Sequence, residues 1–213
     1  MRSLFLAAPV ALALALPADA ASFSFTGNFN QDDDVQFFSF SVAALSNVTL
    51  LTYSYAGGVQ ADGNVVARGG FDPILALFNS AGLLIGQNDD GTGVPADALT
   101  GRSWDTRLDV ALGAGNYTVA VMQYNNFANG PNLSDGFLRD GDGNFTAGSC
   151  AATQFCDVSG VVPGNERDGH WAFDVLNVAD AQIGAVPLPA SLPLLGFALG
   201  GLGLLRKKRR KAA

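Results

Sequence analysis

Between residues 22 and 178 apolar and polar side chains alternate in short runs separated by Gly, Asn and Asp, the period of two expected of half-buried β-strands. Residues 22–29 predict a first strand. Residues 35–42 predict a second, with Phe38, Phe40 and Val42 on one face, and residues 48–55 a third, with Leu51, Tyr53 and Tyr55 facing away from Leu50 and Thr52. Residues 56–70 keep no stable period and read as a loop. Residues 71–79 and 83–91 flank Ser80-Ala81-Gly82 as a hairpin. After a second loop, residues 104–112 and 116–124 form two further strands around Gly113-Ala114-Gly115. Residues 125–169 are too long and too polar for a simple connection and are expected as an insertion on one edge. Residues 170–178 place Trp171, Phe173 and Val175 on one face of a last strand, and a linker runs on to Ala185. No run of ten residues has helical amphipathicity, so the expected class is all-β: one domain, two packed sheets, about eight strands.

The two ends break this pattern. Met1-Arg2-Ser3 precedes an apolar run over residues 4–16, and Ala18 and Ala20 supply an A-x-A site, which reads as a signal peptide cut after Ala20. At the C-terminus, Val186-Pro187-Leu188-Pro189-Ala190 leads into 18 uncharged residues, 188–205, followed by the six basic residues Arg206-Lys207-Lys208-Arg209-Arg210-Lys211. As a helix, that run reaches about 27 Å, close to the roughly 30 Å hydrocarbon layer of a bilayer. The basic cluster holds the C-terminus on the cytoplasmic side and leaves everything upstream outside. Pro187, Pro189 and Pro193 keep the start of the run out of regular helix, and Gly196, Gly200, Gly201 and Gly203 weaken the rest. An extended, protease-accessible segment before a weak span suits a segment made to be cut; a plain tail anchor is the alternative.

The proline motif, apolar glycine-rich span and basic cluster resemble the PEP-CTERM class of bacterial sorting tails, in its VPLPA variant, over about the last 28 residues. Leu188 stands where the main type has Glu, which implies a different member of the processing enzymes. The resemblance implies recognition by an exosortase-type membrane enzyme of a Gram-negative bacterium that also makes exopolysaccharide. It further implies transient residence in the inner membrane and delivery to the cell surface or extracellular matrix.

With both terminal segments set aside, residues 21–186 carry eighteen acids against five arginines, Arg68, Arg102, Arg107, Arg139 and Arg167, a net charge of −13 with no lysine. Nucleic acid and anionic membrane surfaces are poor partners for it, and divalent cations fit better. Cys150 and Cys156 are the two cysteines. In an oxidising exterior a pair this close is expected as a disulfide pinning a local loop, and two cysteines without a neighbouring histidine make a poor zinc site.

The strand order has a likeness of its own. Asp34-Val35-Gln36-Phe37-Phe38-Ser39-Phe40, then residues 71–79 with Gly82 and Asn88-Asp89-Asp90, then residues 113–121, resemble the bacterial pre-peptidase C-terminal domain over about residues 30–125. Gln36 replaces the second acid of the first motif, and Phe78-Asn79 replaces Tyr-Asp. The resemblance implies a jelly-roll-like β-sandwich that accompanies secreted enzymes without being catalytic, some relatives binding calcium or matrix polymers.

Asp140, Asp142 and Asn144 place three oxygen side chains at alternate positions, the start of a loop for a hard cation such as Ca2+. Phe145 and Ala151 stand where an EF-hand needs Gly and a bidentate Glu. Asp89 and Asp90 form a second acidic group that would pair with Asp32, Asp33 or Asp34 if their loops met. Against both stands the plainer reading that Asp-Gly and Asn-Asp are turn formers with solvated carboxylates. No catalytic residues are expected: His170 is the single histidine, at a strand start, and Glu166 the single glutamate. Tyr53, Tyr55, Trp104, Tyr117, Tyr124, Phe127 and Trp171 would serve a sugar-stacking surface or the core, Phe127 being the one least explained by a strand. The expected function is a non-enzymatic surface or matrix protein, structural or adhesive within exopolysaccharide or biofilm. A Ca2+-dependent carbohydrate-binding module and a secreted hydrolase are the alternatives.

Overall fold

The computed structural model describes residues 20–157 and 164–184. Ala18 and the sorting motif Val186-Pro187-Leu188-Pro189-Ala190 with the run after it lie outside the described residues. Among those described, no helix is long and apolar enough to cross a membrane.

The chain is all-β. Its strands are β1 (Ala21–Asn28), β2 (Gln36–Val42), β3 (Ser46–Thr52), β4 (Gly58–Val59), β5 (Val65–Val66), β6 (Pro73–Asn79), β7 (Leu84–Asp89), β8 (Arg107–Leu112), β9 (Gly115–Gln123), β10 (His170–Val178) and β11 (Asp180–Ile183). One antiparallel sheet has the order β1-β10-β3-β8 and the other β11-β2-β9-β6-β7, while β4 and β5 pair apart from both. Of the connections between sandwich strands, only the β6–β7 hairpin stays within one sheet.

Alternation decides what each sheet buries. Phe38, Phe40 and Val42 of β2, Val119 and Val121 of β9, Leu75 and Leu77 of β6, Val48 and Leu50 of β3 and Trp171, Phe173 and Val175 of β10 meet between the sheets. Phe38 is the centre: its ring lies 4.8 Å from Phe173, 5.0 Å from Phe25 and 5.5 Å from Trp171, the last edge-on. Fully burying such a ring is worth about 1.5–3 kcal/mol before any ring–ring term. Gly27 of β1 makes room for Trp171, since a Cβ there would stand 2.2 Å from the indole.

The other parity of the five-stranded sheet is apolar too. Phe37, Ile74, Ala76, Phe78, Ala120 and Met122 form a second core with Phe137, joined by Phe127, Ala128 and Leu133. Residues 127–137 of the insertion therefore lie across a sheet face as well as on the expected edge, where the Leu84 N–H donates to the Pro131 carbonyl and the Leu133 N–H to the Gly82 carbonyl, each at 2.7 Å. Two apolar faces on β2, β6 and β9 need two covers, and residues 127–137 supply the second. On the other sheet, Asp174 of β10 is buried and accepts from Gln60 Nε2 at 3.0 Å and Ala61 N–H at 2.8 Å, so the β4–β5 segment folds back over that side.

The count differs from about eight because nine strands make the sandwich. β11 comes from the expected linker: Ala181 pairs with Phe40 and is 8% exposed, so Asp-Ala-Gln-Ile is a short alternating strand closing the edge beside β2. Trp104 lies outside β8, half-buried 5.2 Å from Tyr55, because the buried Asp105 carboxylate takes the N–H groups of Tyr55 and Ala56 and holds that stretch in a loop.

The registers sort the connections by length. Val42 faces Gly115, Ser46 faces Leu112, Asn79 faces Tyr117 and Ala21 faces Val178, so the short turns share one end. Residues 29–35, 53–72, 90–106, 124–157 and 164–169 all fall at the other. That loop end carries the polar chemistry of the domain.

Candidate metal centre

Asp72 stands directly before Pro73, the first residue of β6, and its carbonyl accepts the Tyr124 N–H at 2.8 Å. Asp89 ends β7 opposite Ile74. Asp90 follows in the left-handed region (φ 67°), a conformation Asp tolerates better than most residues. Its N–H donates to Thr106 Oγ1 at 3.1 Å and its carbonyl accepts from the Arg107 N–H at 3.1 Å. Gly91 then passes β8 so closely that a Cβ would lie 2.7 Å from Arg107 N. The start of β6, the end of β7 and this tight passage bring one carboxylate oxygen each of Asp72, Asp89 and Asp90 within 4.8 Å of one another.

The group is electrostatically uncomfortable. Burial pushes the Asp72 carboxyl well above the usual carboxylate range, and the charges of Asp89 and Asp90 push it further. Asp89 is raised to about 6, by burial first and by Asp90 second, and Asp90 is raised by burial. Asp72 is half-buried as a residue, yet its Oδ1 is sealed from solvent and accepts no hydrogen bond; Asp90 Oδ1 is in the same state. Gln123, at the end of β9 opposite Pro73, is 2% exposed, its Oε1 is also without a donor, and it lines the same pocket as Asp72.

The structure thus joins Asp89 and Asp90 to Asp72 and not to residues 32–34. Asp32 and Asp33 turn to the insertion: Asp32 accepts from Thr146 and Phe155, and Asp33 Oδ2 from the N–H groups of Gly141 and Gly143. Asp34 Oδ2 closes its own turn on Asn30 N–H and Gln31 N–H. In the other loop, Asp140 accepts the Phe137 N–H at 2.8 Å, Asp142 pairs with Arg139 at 3.6 Å, and Asn144 Oδ1 accepts the Asp32 N–H at 3.3 Å. Those three oxygens are occupied separately as turn and loop partners. Cys150 and Cys156 form a disulfide in the same insertion.

Gln123 belongs to no sequence motif, and Asp72 stands in one only through the resemblance over residues 71–79, but the hairpin carries a signal for Asp72 as well. Ile74 pairs with Asp89, so extending the ladder outward sets Asp72 and Pro73 beside Asp90 and Gly91.

The remaining candidates are absorbed by the fold. His170 is held by Asp168 through Nδ1 and by the Ala67 carbonyl at 3.2 Å through Nε2. Glu166 is exposed. Tyr55 and Trp171 are buried, Tyr117 stacks on Phe40 at 5.4 Å, Tyr124 and Phe127 belong to the outer core, and Arg102 lies over Trp104 at 5.3 Å. Tyr53 is half-buried against Gly58. These aromatics divide among four places, the inner core, the outer core, the Tyr55–Trp104 pair and Tyr53 at Gly58. No family model and no curated protein matches the chain.

Proposed function

We propose that the chain is an exported, non-catalytic β-sandwich, sorted by an exosortase-type enzyme to the cell surface or extracellular matrix, where it is structural or adhesive in exopolysaccharide. The observation that carries this is the tail: Val186-Pro187-Leu188-Pro189-Ala190, 18 uncharged residues and six consecutive basic ones. The fold supports it from the other side. β1 begins at Ala21, one residue after the expected cut, and β11 ends at Ile183, three before the motif, so the sandwich fills the interval between the two terminal signals. Connections that cross between sheets support a jelly-roll-like, pre-peptidase C-terminal-like arrangement. The disulfide suits an oxidising exterior, and an acid-rich surface without lysine suits a hydrated, cation-rich matrix.

Fractionation of the native host tests the adhesive role. The protein is expected with the polymer in a polysaccharide-producing strain and in the medium of a strain that makes none. The same distribution in both strains would remove the polysaccharide from the account.

A further inference from the structure

The chain leaves the sandwich at the end that carries its loops. β11 runs antiparallel to β2, with Asp180 opposite Ser41 and Ile183 opposite Phe38, so it travels towards the start of β2 and the 29–35 loop. It is held as far as Gly184: the Ala179 N–H donates to the Ser41 carbonyl at 2.8 Å and the Gly184 N–H to the Phe37 carbonyl at 2.9 Å. Gly184 lies against β2 so closely that a Cβ would stand 3.4 Å from Ser39 N. Ala185 alone separates Gly184 from Val186, the first residue of the sorting motif.

Reach decides what an enzyme can do with that motif. Two residues of fully extended chain cover about 7 Å, so Val186 stands within that distance of the sheet edge. An enzyme that encloses an extended peptide needs walls at least one helix or one sheet layer thick, about 10 Å. The folded edge therefore obstructs a cleft closing around Val186. Freeing residues 180–184 lengthens the tether to the seven residues after Ala179, about 24 Å, which clears such a wall. β11 is lightly held: Ala181 is its one buried side chain, while Asp180, Gln182 and Ile183 are exposed. A four-residue edge strand with a single buried methyl belongs to the low-stability end of a fold, where opening is local.

We propose that β11 is a latch on tail processing: paired with β2 it keeps the Val186–Ala190 motif against the sandwich, and the exosortase-type enzyme takes the motif from chains in which β11 has left β2. The latch rests on the reading of the tail as a sorted segment. Its consequence is an order of events, in which the sandwich folds first, opens at one edge for the cut, and closes on β11 again once the tail is gone.

The test is pulse-chase processing in the native host, read by intact mass, of the full chain carrying Ser39→Cys and Gln182→Cys. These residues face each other across β2 and β11. Because Gly184 bonds to Phe37, alternation makes them the next hydrogen-bonded pair, with Cα atoms about 5.5 Å apart and within disulfide reach. Diamide completes oxidation of the added pair and thiol labelling confirms it. Oxidised chains are expected to lose the tail at least about tenfold more slowly than wild type, because cleavage follows the open population. Reduced chains of the same variant are expected to keep the wild-type rate. Ten Gly/Ser residues inserted after Gly184 add about 17 Å of mean reach. They are expected to restore processing of the oxidised pair, which shows that the lock has spoiled neither folding nor export. Oxidised chains cut at the wild-type rate, or left uncut despite the insertion, would overturn the latch, and wild-type cleavage in the same experiment would leave the sorting reading standing. A tail retained by wild type would overturn both.

Discussion

The Asp32 carboxylate holds Thr146, 114 residues further along, by both its N–H at 2.7 Å and its hydroxyl at 2.5 Å. The other oxygen of Asp32 accepts the Phe155 N–H at 2.6 Å, and Asp32, Thr146 and Phe155 are all buried. One side chain from the β1–β2 loop thus fixes two points of the insertion. Asp32→Ala strands these donors and is expected to cost about 3 kcal/mol in urea unfolding, against less than about 0.5 kcal/mol for Asp180→Ala at the exposed start of β11. Equal effects of the two substitutions would mean that Asp32 is not a clasp.

Phe137 covers the outer core from the insertion side, its ring 5.9 Å from Phe37 and its side chain buried. Phe137→Ala is expected to lower stability by about 3 kcal/mol. Hydrogen exchange should show residues 127–137 losing protection first, while β3 and β10 keep theirs. Uniform loss of protection would mean that the insertion and the sandwich open as one unit.

The sequence pattern reached the sandwich because its inner faces alternate cleanly: Phe38-Phe40-Val42 and Trp171-Phe173-Val175 read as strands and pack as strands. It failed where the period of two is masked. Phe37, Ile74 and Phe78 are buried on the opposite parity, so these strands read as half-exposed until their cover is seen, and Phe127 looked free for a ligand for the same reason. β11 is four residues long, with Ala181 as its one buried side chain, too weak a signal to separate from a linker. At the loop end, Asp89 and Asp90 stood out as an acidic run, but Asp72 becomes their neighbour only through strand pairing. The alternating oxygen side chains of Asp140, Asp142 and Asn144 had the better motif, yet local turns and the Asp32 and Asp33 contacts use their loop otherwise.

Asp97 predicts the acid limb of stability. Burial works to raise its carboxyl, but hydrogen bonds from Arg68 and Thr100, with Arg167 nearby, overcome burial and hold it below the usual range. A carboxyl depressed in the folded state stabilises fully above its unfolded value of about 3.9, and that contribution disappears as pH falls through the folded value. Asp97→Asn should therefore cost about 3 kcal/mol near neutral pH, since it leaves Arg68 and the buried Arg167 without their shared partner. The gap to wild type should narrow below about pH 4. Unfolding free energies measured across pH check this, and a gap independent of pH would assign the loss to packing instead.

Export and sorting are tested most directly by the intact mass and membrane fractionation of the protein from its native host, with and without the cognate exosortase gene. The predicted wild-type product lacks the first 20 residues and the C-terminal tail, whereas the mutant retains the tail in the inner membrane. A tail that persists in both strains would contradict the account and leave a membrane-anchored sandwich facing the periplasm.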